Sequence, residues 1–271
     1  MNRARNDGVA LLLVLWLVAL LAATVGAFAL SARTEQLQGK VLARGLESRE
    51  AARAGVEYAL VRLGEADPKR RWIPDGREYR WHFGDADVAL RIVDEQGKVD
   101  LDMADAGLLA ALLRQVGSDP RDAVRIAGAI VDWRDGDALT QPGGGAEAPD
   151  YAAAGRDYGP ANLPFESVAE VEQVLGMTPT LYARLAPLVT VYSGRAMPDP
   201  AYAPAPVLAA TQLARPPAGP LAPGSGTYSI ESRASIRGRA SVLRVVARIG
   251  GSGLPGSAWT PLRWEEGASP R

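Results

Sequence analysis

The sequence predicts an α+β fold: a long N-terminal helix packed on an antiparallel β-sheet, with an inserted all-helical domain. Three observations carry this. Val9 to Leu30 is an uncharged apolar run of 22 residues, and the stretch after it, through Leu63, keeps helical spacing with no proline. Alternating strand patterns occur at 77–93 and again at 228–249. Helical patterns with their own start and stop signals fill the chain between them.

At 1.5 Å per residue the apolar run spans roughly 33 Å, enough to cross a bilayer. Only Thr24 and Gly26 in it are not strongly apolar. A cleaved secretory signal would have a shorter apolar core of about 7–15 residues. Ala27-Phe28-Ala29 offers such a cleavage site, but a retained membrane helix fits the length better. Arg3 and Arg5 precede the run and favour a cytoplasmic N-terminus, weakly, because Arg33, Lys40 and Arg44 follow it. Beyond the run, Leu37, Val41, Ala52, Val56, Ala59, Leu60 and Leu63 form one stripe, with Arg53 and Glu57 spaced as a helical pair. One helix from Val9 to Leu63 would be roughly 80 Å long. An anchor, a linker and a separate helix is the alternative. Gly39, Gly45 and Gly55 weaken the continuous helix, and Asp67-Pro68 ends it.

Arg77–Phe83 and Asp87–Val93 read as strands joined at Gly84-Asp85, a two-residue hairpin signal. DEQGKVDLD (94–102) reads as a turn leading out of the sheet. Asp105–Val116 is apolar on one helical face, and Asp119-Pro120 opens a helix through Trp133. Ser167 and Glu170 form a capping box for a third helix stopped by Gly176, and Thr178-Pro179 opens a fourth through Leu185. Residues 195–226 hold eight of the 20 prolines and read as an extended linker. Tyr228–Ile236 and Val242–Ile249 alternate as strands, and 251–271 reads as a disordered tail. Neither strand pair would be stable alone, so both are expected in one sheet against the helix.

Composition removes several chemistries. The chain has no Cys, one His and a net charge of −1. Disulfides, thiolate catalysis, zinc fingers and multi-His metal sites are excluded, and no nucleic-acid partner is expected from charge. His82, in a predicted strand, reads as a sheet or surface residue. No nucleophile with a nearby base can be assembled, and no phosphate-binding loop is present, so no enzyme is expected.

One acidic segment stands out. Asp132, Asp135, Asp137, Glu147, Asp150 and Asp157 face only Arg134 and Arg156 in 132–157. Pro142-Gly143-Gly144-Gly145 lets the chain fold back, bringing Glu147 toward Asp135 and Asp137. Converging carboxylates without His or Cys suit a hard cation such as Ca²⁺. The spacing is not an EF-hand, since Thr140 stands where a loop starting at Asp135 needs Gly. On the residues alone, a solvated acidic loop is the competing reading.

A short leader ending in Gly8, an apolar helix running into an amphipathic stem, and a sheet against that stem resemble type IV pilins and pseudopilins. DEQGKVDLD, IVDWRDGD (130–137), GMTPTLYARLAPLVTVYSG (176–194) and the initial GVALLLVLW resemble the GspK family more closely. That family is the large minor pseudopilin of type II secretion systems (general secretion pathway protein K). The resemblance runs from about Gly8 to Ile249.

It implies a pilin-like fold divided into a prepilin leader (1–8), a transmembrane helix and stem (9–66), and a first sheet part (67–102). An inserted helical domain (103–194), a Pro-rich linker (195–226), C-terminal strands (227–250) and a tail (251–271) complete the chain. It implies cleavage between Gly8 and Val9 by a prepilin peptidase, which would leave the apolar helix in the product. On the residues alone, an ordinary residue before a membrane helix is the competing reading of Gly8. It further implies Ca²⁺ in the helical domain, carried by Asp135, Asp137, Glu147 and Asp150, with the three-Gly insertion altering the local geometry. The implied place is the bacterial inner membrane, single-pass, with the bulk of the chain in the periplasm. There it would join the pseudopilus tip with GspI and GspJ, above GspH.

Leu13 stands five residues after Gly8, where most pilin-like proteins carry Glu. That departure is expected at a tip subunit, because a buried Glu is useful only where a subunit ahead presents its N-terminal amine. GMTPTLYARL also resembles a helix-hairpin-helix. The alternative function is therefore a membrane-anchored DNA-binding protein of a competence or pilus system, although the surrounding residues are not basic.

Overall fold

The structure is a computed structural model and describes residues 7–216, 224–250 and 258–267. One uninterrupted helix, α1 (Asp7–Leu63), begins the fold. Residues 1–6 of the expected leader and the side chain of Leu37 lie outside the described residues. Leu11–Gln36 is long and apolar enough to cross a membrane, and none of it is buried against the rest of the protein.

A sheet in the order β1-β2-β5-β6-β7 follows, all neighbours antiparallel: β1 (Asp75–Phe83), β2 (Ala86–Asp94), β5 (Thr227–Ile236), β6 (Arg239–Ile249) and β7 (Trp259–Gly267). Strands from the two ends of the sequence thus meet at β2 and β5, as the strand patterns required. The second half of α1 packs on this sheet. Ala51, Ala52, Val56, Ala59, Leu60 and Leu63 bury against Val88, Leu90, Ile92, Ile230, Ala234 and Val245. The stripe is buried only over this stretch; Val41 is exposed.

Gly55 sets the closeness of the contact. A Cβ there would overlap the Ser232 hydroxyl and come within 2.8 Å of Val88 Cγ1. The glycine that weakens the helix in isolation is what lets it approach the strands. Gly55→Leu should therefore destabilise the fold by about 1–3 kcal/mol through overpacking, read as a lower urea midpoint. Gly45→Ala, whose Cβ would meet nothing within 4 Å, should be neutral or slightly stabilising in the same melt.

Side chains at both sheet edges grip α1. At β1, Trp81 stacks on Tyr58 at 4.4 Å, while Trp72 stacks on Tyr79 at 4.2 Å. At β7, Glu266 pairs with Arg49 at 3.3 Å, Trp264 lies under the Arg53 guanidinium, and Trp259 Nε1 donates to Glu57 Oε2 at 3.1 Å. Arg53 and Glu57, expected as a helical pair, each find a partner on β7. This strand corrects the expectation of a disordered tail over 251–271. Its low-complexity flanks hid two Trp anchors, while 251–257 and 268–271 lie outside the described residues.

On the face away from α1, charge alternates in sign across all five strands through the pairs Glu78↔Arg91, Arg91↔Glu231, Glu231↔Arg244 and Arg244↔Glu265. Such cross-strand pairs favour one register, since a one-residue slip would place these charges on the buried face.

The chain between β2 and β5 forms the helical part: α2 (Ala106–Gln115), α3 (Pro120–Arg134), α4 (Ala148–Ala153), α5 (Pro179–Leu185) and α6 (Ala205–Thr211). Its core gathers Leu109, Leu112, Leu113, Ile130, Tyr151 and Leu185. The segment expected as a third α-helix is a 3₁₀ helix (Val168–Gln173), capped as expected by Glu170 Oε1 accepting from the Ser167 amide at 2.7 Å. Residues 195–226, expected as extended linker, contain α6, which packs on α2 with Val207 fully buried. Proline at its start suits a helix N-terminus, and composition alone concealed that. Residues 217–223 of the linker lie outside the described residues.

DEQGKVDLD is more than a turn. It is the neck of the insertion, closed by the short parallel pair β3 (Val99–Asp100) and β4 (Val189–Thr190). Asp94 Oδ2 accepts from the Ser225 amide at 2.7 Å, and Asp100 Oδ2 accepts from Ser193 and Gly194 amides at 3.1 and 2.8 Å. Outgoing and returning chains are thereby joined. Between them Glu95 and Lys98, both buried, form an ion pair at 2.6 Å, and the Ser229 and Thr190 hydroxyls complete the shell of Glu95.

Candidate metal centre

The site is built at the C-terminal end of α3. Asp119 caps this helix by accepting from the Arg121 amide at 2.9 Å, and Pro120 suits its first turn. The helix buries Ile126, Ile130 and Trp133, and with them Asp132, which is fully buried. An acid in such a position must be hydrogen-bonded. Asp132 Oδ1 accepts from the Gln141 amide at 3.2 Å and Oδ2 from the Ala146 amide at 2.7 Å. The loop after α3 is thus folded back onto the helix by its own backbone. Arg134 donates to the Leu101 and Ala104 carbonyls, so it makes no hydrogen bond to the acids, although its charge still lowers the pKa of Asp135.

Asp132, Asp135 and Glu147 each present a carboxylate oxygen, and these lie within 4.8 Å of one another. Asp135 Oδ1 and Glu147 Oε1 are buried and have no hydrogen-bond partner. Burial, followed by mutual repulsion, raises the pKa of Glu147. Asp132 and Asp135 are likewise raised by burial first, then by neighbouring carboxylates, against the lowering effect of their hydrogen bonds. Orphaned carboxylate oxygens facing one another without a cation are costly, and an oxygen-seeking divalent ion would relieve both defects. The residues fit such a group.

Of the expected set of Asp135, Asp137, Glu147 and Asp150, the structure brings two members together. Asp135 and Glu147 converge, but their buried partner is Asp132. Asp137 is exposed, and its Oδ1 accepts from the Leu139 amide at 2.8 Å. Asp150 Oδ2 accepts from the Glu147 amide at 2.9 Å, as the third residue of α4 in a capping box with Glu147, the N-cap of a helix that the sequence did not lead one to expect. Spacing favoured the acids of the loop. The available signal for Asp132 was an acid within the apolar face that contains Ile126, Ala129, Ile130 and Trp133. The Gly-rich insertion, expected to disturb the geometry, lies directly against the site: a Cβ at Gly145 would overlap Asp132 Oδ2.

An aromatic floor supports the end of α3. Trp133 and Phe165 stack at 6.2 Å, and the buried Tyr151 accepts from the Leu175 amide at 3.1 Å, its hydroxyl pKa pushed up to about 12 by burial. In the helix-hairpin-helix-like segment, Gly176 takes φ +91° and Arg184 donates inward to the Val116 carbonyl at 3.3 Å. A guanidinium spent on a backbone carbonyl is a packing element.

Comparison with known proteins bears on the whole arrangement. A family model described as type II secretion system (T2SS), protein K, matches residues 89–194, from β2 through the neck and helices α2 to α5. The type II secretion system protein K of Klebsiella pneumoniae is 31% identical over 208 residues, covering 68% of this chain and 62% of that protein. Over residues 89–194 the chain is thus similar to the type II secretion protein K family. The protein of the same name from Pectobacterium carotovorum subsp. carotovorum is 29% identical over 209 residues, covering 69% of this chain and 63% of that protein. The matched part therefore spans less than two thirds of these relatives. A chain of the crystal structure of the GspK-GspI-GspJ complex from the enterotoxigenic Escherichia coli type 2 secretion system superposes with a TM-score of 0.59 at 17% identity. That likeness covers 88% of this chain and 99% of that one, and it concerns the fold.

Proposed function

We propose that this protein is the large minor pseudopilin of a type II secretion pseudopilus, anchored in the bacterial inner membrane and placed at the filament tip with GspI and GspJ, above GspH. It acts there as an assembly and structural element for protein export across the outer membrane, not as an enzyme. One observation carries the reading: α1 passes without a break from an exposed apolar segment, Leu11–Gln36, into the core of a sheet domain. Such a helix serves a membrane first and can serve a helical bundle afterwards, without refolding. The composition of the structurally similar complex, GspK with GspI and GspJ, supports GspI and GspJ as partners. The helical part inserted between β2 and β5 adds bulk that would block a further subunit above it.

Leu13, 65% exposed on α1, carries no charge to meet an amine ahead of it, which agrees with a first subunit that has none ahead. Periplasmic parts of the three proteins should form a ternary complex on size exclusion. Finding labelled protein repeated along the filament shaft would exclude the tip placement.

The leader reading belongs to the same proposal. Cleavage between Gly8 and Val9 by a prepilin peptidase should make Val9 the first residue of the mature chain. Intact mass from cells with and without the peptidase measures this directly. Loss of everything through Ala29 would instead mark an ordinary secreted protein.

The acidic centre is read as a calcium site held by Asp132, Asp135 and Glu147. Bound Ca²⁺ would supply charge neutralisation and would tie the α3 end to the start of α4.

A further inference from the structure

The acidic centre depends on a loop that must lie unusually close to a helix, and the contact is made by glycine on both sides. Gly128 and Asp132 are four residues apart, on one face of α3. The loop crosses that face. At Gly128 an added Cβ would overlap the Gly144 carbonyl oxygen, and it would stand 3.1 Å from Gly145 Cα. One turn further on, the two Asp132 oxygens take the Gln141 and Ala146 amides, which bracket the Gly143–Gly145 run. Gly143 and Gly144 adopt φ of +92° and +123°, open to glycine at little cost. Directly after this seat comes Glu147, only 5% exposed, with Oε1 unpartnered and aimed at Asp132 and Asp135.

We infer that Gly128 and Gly145 are positioning residues: the bare face at Gly128 and the hydrogen-bond pair of Asp132 together form a seat that delivers Glu147 to the metal centre. The ligand-affinity part of this inference rests on the calcium reading; the seating itself does not. Gly128 has no other evident reason to be glycine. It lies inside a helix with ordinary φ, where alanine normally stabilises. The seat reverses that sign.

The test is Gly128→Ala in the full-length protein in detergent, with Gly136→Ala as the control, since a Cβ at Gly136 meets nothing within 4 Å. Hydrogen exchange of the Gln141 and Ala146 amides is followed without metal, and Ca²⁺ binding is followed by calorimetry. Expected are metal-free protection of both amides in the unsubstituted protein, at least a tenfold loss of that protection in Gly128→Ala, and at least tenfold weaker Ca²⁺ binding. Gly136→Ala should change neither. If Gly128→Ala does not fold, Asp132→Ala, which adds no bulk, should show the same loss of protection. A raised melting temperature with both amides still protected in Gly128→Ala would overturn the inference. So would amides unprotected in the unsubstituted protein. Protein that takes up no Ca²⁺ yet loses amide protection on Gly128→Ala would sink the calcium reading and leave the seat standing. Calcium binding untouched by Gly128→Ala would do the reverse.

Discussion

Lys98→Ala should destabilise the protein by about 3–5 kcal/mol, toward the lower end of that range. Lys98 and Glu95 form an ion pair at 2.6 Å, their side chains 10% and 2% exposed, so solvent does little to screen or replace it. Removing the ammonium leaves a carboxylate buried without its cation. The Ser229 and Thr190 hydroxyls still donate to Glu95, which is why the lower end is expected. Lys98 also donates to Ser229 Oγ at 2.9 Å, so the β5 contact loosens with it. A urea melt reads the loss as a lower midpoint. The double replacement Glu95→Leu with Lys98→Leu should recover part of it, because the desolvation of two charges no longer has to be offset. A Lys98→Ala midpoint equal to that of the unsubstituted protein would show that the pair is not buried as described.

Removing the proposed calcium should have the next largest effect. A ligand that binds only the folded state, present at 100 times its Kd, stabilises by roughly 2.7 kcal/mol. For a chain of this size that is a fall of about 5–10 °C in melting temperature on chelation. Asp135→Asn and Glu147→Gln should abolish the difference between loaded and chelated protein, since each removes an oxygen that has no protein partner. Asp137→Ala should preserve it, because that carboxylate serves the Leu139 amide. A difference that survives Glu147→Gln would place the ion elsewhere. An unchanged curve on chelation, in protein shown to be loaded, would remove the ion from the stability of the fold.

Several features were legible because they are written in periodicity. The apolar run, the stem stripe, and the alternation of Val88, Leu90 and Ile92 with Ala89 and Arg91 need only neighbours in sequence. The same holds for the caps at Asp119, Ser167 and Thr178, where a side chain serves an amide two or three residues away. Composition misled where anchors were sparse. Trp259 and Trp264 hold β7 inside a Gly- and Pro-rich tail, and Val207 holds α6 inside a Pro-rich linker.

The amino-acid sequence by itself determined the membrane-length helix, the strand patterns at both ends, the helical insertion between them and an acidic segment free of His and Cys. Each follows from the spacing of side chains along the chain. Tertiary structure alone decided that Gly55 is a contact and not a weakness, that the signs of Glu78, Arg91, Glu231, Arg244 and Glu265 alternate across the sheet, and that the buried Asp132 lies beside Asp135 and Glu147. These depend on which distant residues come within a few ångströms of one another. A helix pressed on a strand, or a loop folded over Gly128, sets such distances through packing, which no local spacing encodes.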